Sequence, residues 1–228
     1  MPRTFVIGDI HGAHRALKQC LERADFDYEH DHLIALGDVV DGWPETPECV
    51  EELIHIKNLT LLIGNHDQWC IDWMTHGQRP LIWTEQGGQA TIDAYVRRGD
   101  LIAKHRDEFW SKGVYRYLDS RNRLFVHGGV DPSISLEKNK PRYLMWDRAL
   151  AMRAVNKKTV QPWRKWDEIY IGHTSVHSIS PQPINHEHVW LMDTGGGWEG
   201  VLSMMNVDTK ELYQSDLVAD LYPNVKGR

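Results

Sequence analysis

Cysteine is scarce: the 228 residues hold only Cys20, Cys49 and Cys70, with no CxxC spacing among them. Three scattered thiols exclude a disulfide framework and a zinc–thiolate centre, and they predict buried free cysteines in a reducing compartment. No long apolar run opens the chain: in "MPRTFVIGDIHG" a four-residue apolar stretch ends at Gly8 and acidic Asp9. That is too short for a signal peptide or a membrane span, so a cytoplasmic protein with no membrane partner is expected. Positive charge is in deficit too. Lys and Arg total 26 against 32 Asp and Glu, a formal net charge of -6, so no nucleic-acid partner is expected. Internal repeats, low-complexity runs and linkers are also missing, which predicts a single domain over residues 1–228.

Apolar residues make up 41% of the chain, enough for a substantial core. "TFVIG", "HLIALG" and "LTLLIG" are short apolar runs stopped by glycine and read as buried strands. Between them "AHRALKQCLERA" carries apolar residues at helical spacing, and "PECVEELIHI" has Pro47 and Glu48 where a first helical turn accepts them. Strand, helix, strand, helix, strand over the first 65 residues argues a parallel α/β sheet with right-handed crossovers. Residues 66–112 read as a helical insertion next to the site. Beyond them "GVYRYL", "NRLFVHGG", "EIYIGHT", "HVWLMDTGG", "GVLSMMNVD" and "KELYQSD" read as strands, the last three as an antiparallel sheet.

Polar clusters follow these strands: Asp9 and His11, Asp38 and Asp41, Asn65, His66 and Asp67, His127, and His173. Ligands of open α/β sheets bind outside the carboxyl ends of strands, so the clusters should converge on one crevice. Carboxylate, imidazole and amide oxygen without thiolate suit Mn, Fe, Zn, Ni or Co. The donors outnumber the needs of one ion, and two ions sharing a carboxylate would use them all. Taken singly, each fragment has a structural reading: an isolated histidine, or a strand-end Asp such as Asp67 capping the next helix.

"GDIHG", "GDVVDG", "GNHD", "VHGG" and "GHT", in that order, resemble the signature of the calcineurin-like metallophosphoesterases. Within that superfamily the chain is most similar to the bacterial and phage branch of the PPP-type serine/threonine protein phosphatases, with the symmetrical dinucleoside tetraphosphatases as near relatives. "LMDTGGGWEGVLSMMNVDT" resembles the same branch, so the likeness runs from residue 8 to about residue 209. The resemblance implies a four-layer α/β/β/α sandwich of two mixed sheets. It implies two divalent metal ions, manganese foremost, with Asp9 and His11 on the first, Asp38 bridging, and Asn65, His127 and His173 on the second. It implies a phosphomonoesterase, a serine/threonine protein phosphatase among the candidates, that uses a water activated between the ions and no protein nucleophile. The partner is then a phosphorylated protein or small molecule. His66 is the implied general acid, held cationic by Asp41, whose alternative role is turn capping. Arg148, in "MWDR", is the implied phosphate-binding arginine, its alternative a surface position on an amphipathic helix.

Two positions depart from that pattern. PPP-type enzymes carry arginine after the second Asp of the second motif, where this chain has Gly42 followed by Trp43. They carry Glu where this chain has Asp67, as the dinucleoside tetraphosphatases do. Both departures weaken the case for phosphoprotein and keep a dinucleoside polyphosphate as the alternative substrate. Trp43 has two readings, a stacking wall for the leaving group or an inward-packed turn anchor. A third class, an inactive metal-binding interaction module, is opposed by retention of all six ligands and the His66–Asp41 pair.

Overall fold

The central strands are buried on both faces, which is why they read as unbroken apolar runs rather than alternating ones. A computed structural model describes residues 2–228. β1 (Thr4–Ile7), α1 (His14–Arg23), β2 (His32–Ala35), α2 (Thr46–Ile54) and β3 (Asn58–Leu61) follow in the expected order, and the three strands are parallel. Helices then fill the chain to Lys112: α3 (Asn65–His76), α4 (Leu81–Trp83), α5 (Gln89–Arg97) and α6 (Leu101–Lys104), with a kinked turn at Thr84–Gly88. The second half gives β4 (Arg116–Leu118), β5 (Arg123–Val126), α7 (Pro141–Trp146), α8 (Ala149–Val155), β6 (Glu168–Ile171), β7 (Ile184–His186), β8 (Val189–Leu191), β9 (Ser203–Asn206), β10 (Leu212–Gln214) and α9 (Val218–Leu221).

Two mixed five-stranded sheets result, in the orders β10-β9-β1-β2-β3 and β4-β5-β6-β8-β7. Alternate residues of each strand face opposite layers. Phe5 and Ile7 of β1 pack under α1 and α2, while Val6 joins Ile34, Phe125, Tyr170 and Met205 between the sheets. Leu124 and Val126 face the other way, toward Leu150 and Ala154 of α8. Phe125 of β5 stacks on its neighbour Tyr170 of β6 at 4.8 Å and 8°, a cross-strand pair on the face of the second sheet that meets the first. The result is the α/β/β/α sandwich. Each fully buried aliphatic side chain contributes about 1.5–3 kcal/mol relative to exposure, and Cys20, Cys49 and Cys70 are among the buried, unpaired residues.

One expectation needs correcting. The last three predicted strands do not form a sheet of their own. β8 runs parallel to β6 in the second sheet, and only β9 and β10 pair antiparallel, against β1 in the first. Short strands give no local signal of their partner, and β7, three residues long, went unread because of its polar sequence "INH".

Candidate metal centre and its surroundings

The loops after β1, β2, β3, β5 and β6 converge. Asp9, His11 and Asp38 bring ligand atoms within 4.8 Å of one another, as do Asp38, His127 and His173, so that Asp38 belongs to both groups. Asn65 Oδ1 stands 3.2 Å from His127 Nε2, which places the sixth candidate in the second group. All six are buried.

Backbone strain aims these side chains. His11, Asp38, Asp41 and His173 have φ of 51°, 50°, 74° and 60°, a left-handed region costing non-glycine residues on the order of 1–3 kcal/mol each. Hydrogen bonds offset that cost. The N–H groups of Ile10 and His11 donate to Asp38 O at 3.0 and 2.9 Å. The Asp67 carboxylate accepts from the N–H groups of Asp38, Val39 and Gly64 at 2.7, 2.8 and 2.9 Å. Asp67 is therefore more than a cap on α3, because it ties the loop after β2 to that helix. Burial, and then the charge of Asp38, push its carboxyl up to about 7. Glycine ends these strands because the carboxylates lie against it. A Cβ on Gly64 would stand 2.1 Å from Asp38 Oδ1, and one on Gly172 would stand 2.1 Å from Asp9 Oδ1.

The ligand atoms are presented correctly for a cation. His11 Nδ1 lies 2.9 Å from Val40 O, and His127 Nδ1 lies 2.8 Å from Leu36 O. An N–H at Nδ1 donates to each carbonyl and turns the Nε2 lone pair into the cluster. His173 Nε2 is buried without a hydrogen-bond partner among the described residues. An orphaned imidazole nitrogen, a shared carboxylate and mixed oxygen and nitrogen donors fit a divalent metal.

The charges point the same way. Burial, with Asp193 next, pushes Asp9 well above the usual carboxylate range. Burial would also raise Asp38, but the imidazoles of His127 and His66 outweigh it and hold the carboxyl well below that range. His127 mirrors this: burial works against its charge, Asp38 overcomes it, and the imidazole rises to about 10. Without a cation this pair holds a proton that a cation would displace.

Beside the cluster, His66 Nδ1 lies 2.6 Å from Asp41 Oδ2. Asp41 also accepts from Trp83 Nε1 at 2.7 Å and from Thr91 Oγ1 at 2.8 Å. Burial is the first cause that lowers His66 to about 3 and the first that raises Asp41 well above the usual carboxylate range. Once the pair holds its extra proton, Nδ1 is bonded to Asp41 and Nε2 carries hydrogen. Trp83 and Thr91 come from the helical stretch after β3, where nothing in "WTEQGGQAT" signals contact with Asp41. Trp69, Trp146 and Trp198, which sequence reasoning also passed over, ring the site. Trp69 stands edge-on to His66 at 5.1 Å, Trp146 to His173 at 5.9 Å, and Trp198 lies 6.4 Å from His11.

A cavity of about 790 Å³ adjoins the cluster, with Arg148, Thr174, His177 and Trp198 in its lining. Arg148 is exposed at the start of α8, near enough that its charge acts on His66 and His173. His177, unassigned from sequence, sits tilted against Trp198 at 5.9 Å. Trp43 corrects one of its two readings. It is 1% exposed, its Nε1 donates to Gly196 O at 2.7 Å, and its ring stacks on Tyr222 at 5.1 Å. At this exposure the ring, although at the edge of the cavity lining, offers a leaving group almost no surface and serves as the inward turn anchor.

The calcineurin-like phosphoesterase family model matches residues 2–200. Serine/threonine-protein phosphatase 1 of Salmonella typhimurium is 34% identical over 214 residues, 89% of this chain and 91% of that protein. The symmetrical bis(5'-nucleosyl)-tetraphosphatase of Coxiella burnetii is 24% identical over 272 residues, 92% of this chain and 90% of that protein. A solved protein serine/threonine phosphatase from Saccharomyces cerevisiae shares the fold with a TM-score of 0.65 at 15% identity, over 99% of this chain and 82% of its own. The chain belongs to the calcineurin-like phosphoesterases and is a metal-dependent phosphoester hydrolase whose cofactors are divalent metal ions.

Proposed function

We propose that this enzyme is a phosphomonoesterase working with two divalent ions, manganese foremost, on phosphorylated protein side chains. The observation that carries the reading is Asp38, common to both ligand groups and next to the His66–Asp41 pair. Asp9 and His11 would hold one ion and Asn65, His127 and His173 the other. Two such ions would supply Lewis-acid polarisation of phosphoryl oxygens and would activate a water for attack. His66 would deliver a proton from Nε2 to the departing oxygen, while the Asp41 carboxylate accepts the Nδ1–H hydrogen bond and stabilises the imidazolium. Trp83 and Thr91 fix the Asp41 carboxylate, and with it the ring plane of His66. Arg148 binds two phosphoryl oxygens with a fork that does not titrate away.

A second reading, a dinucleoside polyphosphate as substrate, is favoured by Trp198. Its partly buried ring, with His177 alongside, gives the cavity an aromatic wall against which a base could pack. The 24%-identical tetraphosphatase supports this reading and the 34%-identical phosphatase supports the first.

The test is a phosphoester panel assayed with Mn, Fe, Zn, Ni and Co, with Asp38→Asn as control. Turnover of para-nitrophenyl phosphate that Asp38→Asn abolishes is expected. Competition between a phosphopeptide and diadenosine tetraphosphate then decides between the substrates, and no metal-dependent turnover on any member would overturn both readings.

A further inference from the structure

The second motif lacks its arginine at Gly42, but a guanidinium occupies the adjoining space. The segment Tyr222–Arg228 folds back across the site. Tyr222 is buried against Trp43, its hydroxyl donating to Glu45 and accepting from the Arg15 N–H at 2.9 Å. Arg228 N donates to Gly197 O at 2.9 Å, which brings the side chain over the metal cluster. Its guanidinium lies 4.8 Å above the Trp198 ring, and Nη1 stands 3.1 Å from His11 Nε2. A Cβ on Gly42 would lie 3.1 Å from Arg228 Cγ, and one on Gly87 would lie 2.9 Å from the same atom. The stem of Arg228 thus runs through the space that a side chain at position 42 would enter, and the φ of +95° at Gly42 independently disfavours a side chain there.

We propose that Arg228 is a substrate-binding residue, the second guanidinium of a phosphate clamp whose first is Arg148. The clamp rests on the phosphoesterase reading above. Both arginines line the same cavity, and Arg228 lies against His11, next to Asp38, where phosphoryl oxygens would have to sit. The lone pair of His11 Nε2 cannot serve a cation and an arginine N–H together. With the ligand atom engaged, Nη1 needs another acceptor, and the nearest anionic acceptor a substrate brings is the phosphoryl group. Trp198 beneath and Gln86 Oε1, 3.4 Å from Nη2, hold the plane of the fork while it binds.

The experiment uses the Mn²⁺-loaded full chain and its Arg228→Ala, Arg228→Lys and Arg148→Ala variants. Inorganic phosphate binding is measured by calorimetry, manganese content by elemental analysis, and KM with para-nitrophenyl phosphate. Arg228→Ala is expected to weaken phosphate and raise KM by roughly ten- to a hundredfold, the range for losing hydrogen bonds to a charged group. Arg228→Lys should recover part of that loss, manganese content should be unchanged, and Arg148→Ala should show a loss of similar size. Phosphate affinity unchanged within about twofold or tightened in Arg228→Ala, or manganese lost in step with phosphate, overturns the clamp. If the parent protein hydrolyses no phosphoester yet binds phosphate through Arg228, the clamp stands and the phosphoesterase reading falls. If it hydrolyses phosphoesters and ignores Arg228, the reverse holds.

Discussion

Substituting Asp41→Asn removes the carboxylate that can pair with a protonated His66 while leaving the shape of its pocket intact. The amide oxygen would keep the bonds from His66 Nδ1 and Trp83 Nε1, and the amide nitrogen would turn to Thr91 Oγ1, which now lies 2.8 Å from Asp41 Oδ1. What disappears is the stabilisation of a protonated His66 by a carboxylate at 2.6 Å, both side chains being 2% or less exposed. At about 4 Å between charge centres and an effective dielectric of about 20, that stabilisation is about 4 kcal/mol, or about three decades in proton occupancy. The loss should fall on leaving groups that need a proton. Turnover of phenyl and alkyl phosphates should drop about 10²–10³-fold, and turnover of para-nitrophenyl phosphate less than about tenfold. The assay is kcat across a series of aryl and alkyl phosphates at fixed manganese, with metal content checked in each variant. The Asp41→Asn series should show a steeper dependence on leaving-group pKa. Equal losses across the series with full metal occupancy would refute the proton-delivery role of the pair.

Trp83→Phe, which keeps the ring and removes only the N–H to Asp41 Oδ2, should lower turnover of poor leaving groups about tenfold at unchanged manganese content. Manganese binding should release a proton, because Asp38 raises His127 to about 10 and the ligand must be neutral; calorimetry in buffers of different ionisation enthalpy reads this, and affinity should fall as the pH is lowered. Asp31→Asn should destabilise the fold by about 1.5–3 kcal/mol at neutral pH, since the Asp31 carboxylate accepts from Arg3 N at 2.8 Å and Arg3 Nη2 at 2.6 Å. Burial would raise the Asp31 carboxyl, but the bonds from Arg3 and Asp27 outweigh it and hold the folded pKa below its unfolded value. The contribution is therefore fully present above pH about 4 and lost as pH falls through the folded pKa, so parent and variant should converge in acid denaturation curves.

The chemistry of the donors and their place at strand ends were legible in the chain itself. Gly8-Asp9, Gly37-Asp38 and Gly64-Asn65 each follow an apolar run, and period and punctuation report directly on buried strands and the turns after them. Tertiary structure decided what local signals do not carry. β8 and the β9–β10 hairpin went to different sheets because pairing depends on neighbours far along the chain. Trp43 could have faced outward or inward, and only the arrival of Tyr222 and Gly196 made it an anchor. Trp83 and Thr91 became supports of Asp41 through the packing of a helical segment more than forty residues away. Arg228, 186 positions from Gly42 in sequence, came to lie against it through the fold of the last strands and the segment after them. Composition and spacing dictate which donors are available, because those properties are local. Which side chains share one small volume is set by packing between distant segments, because those contacts are not local.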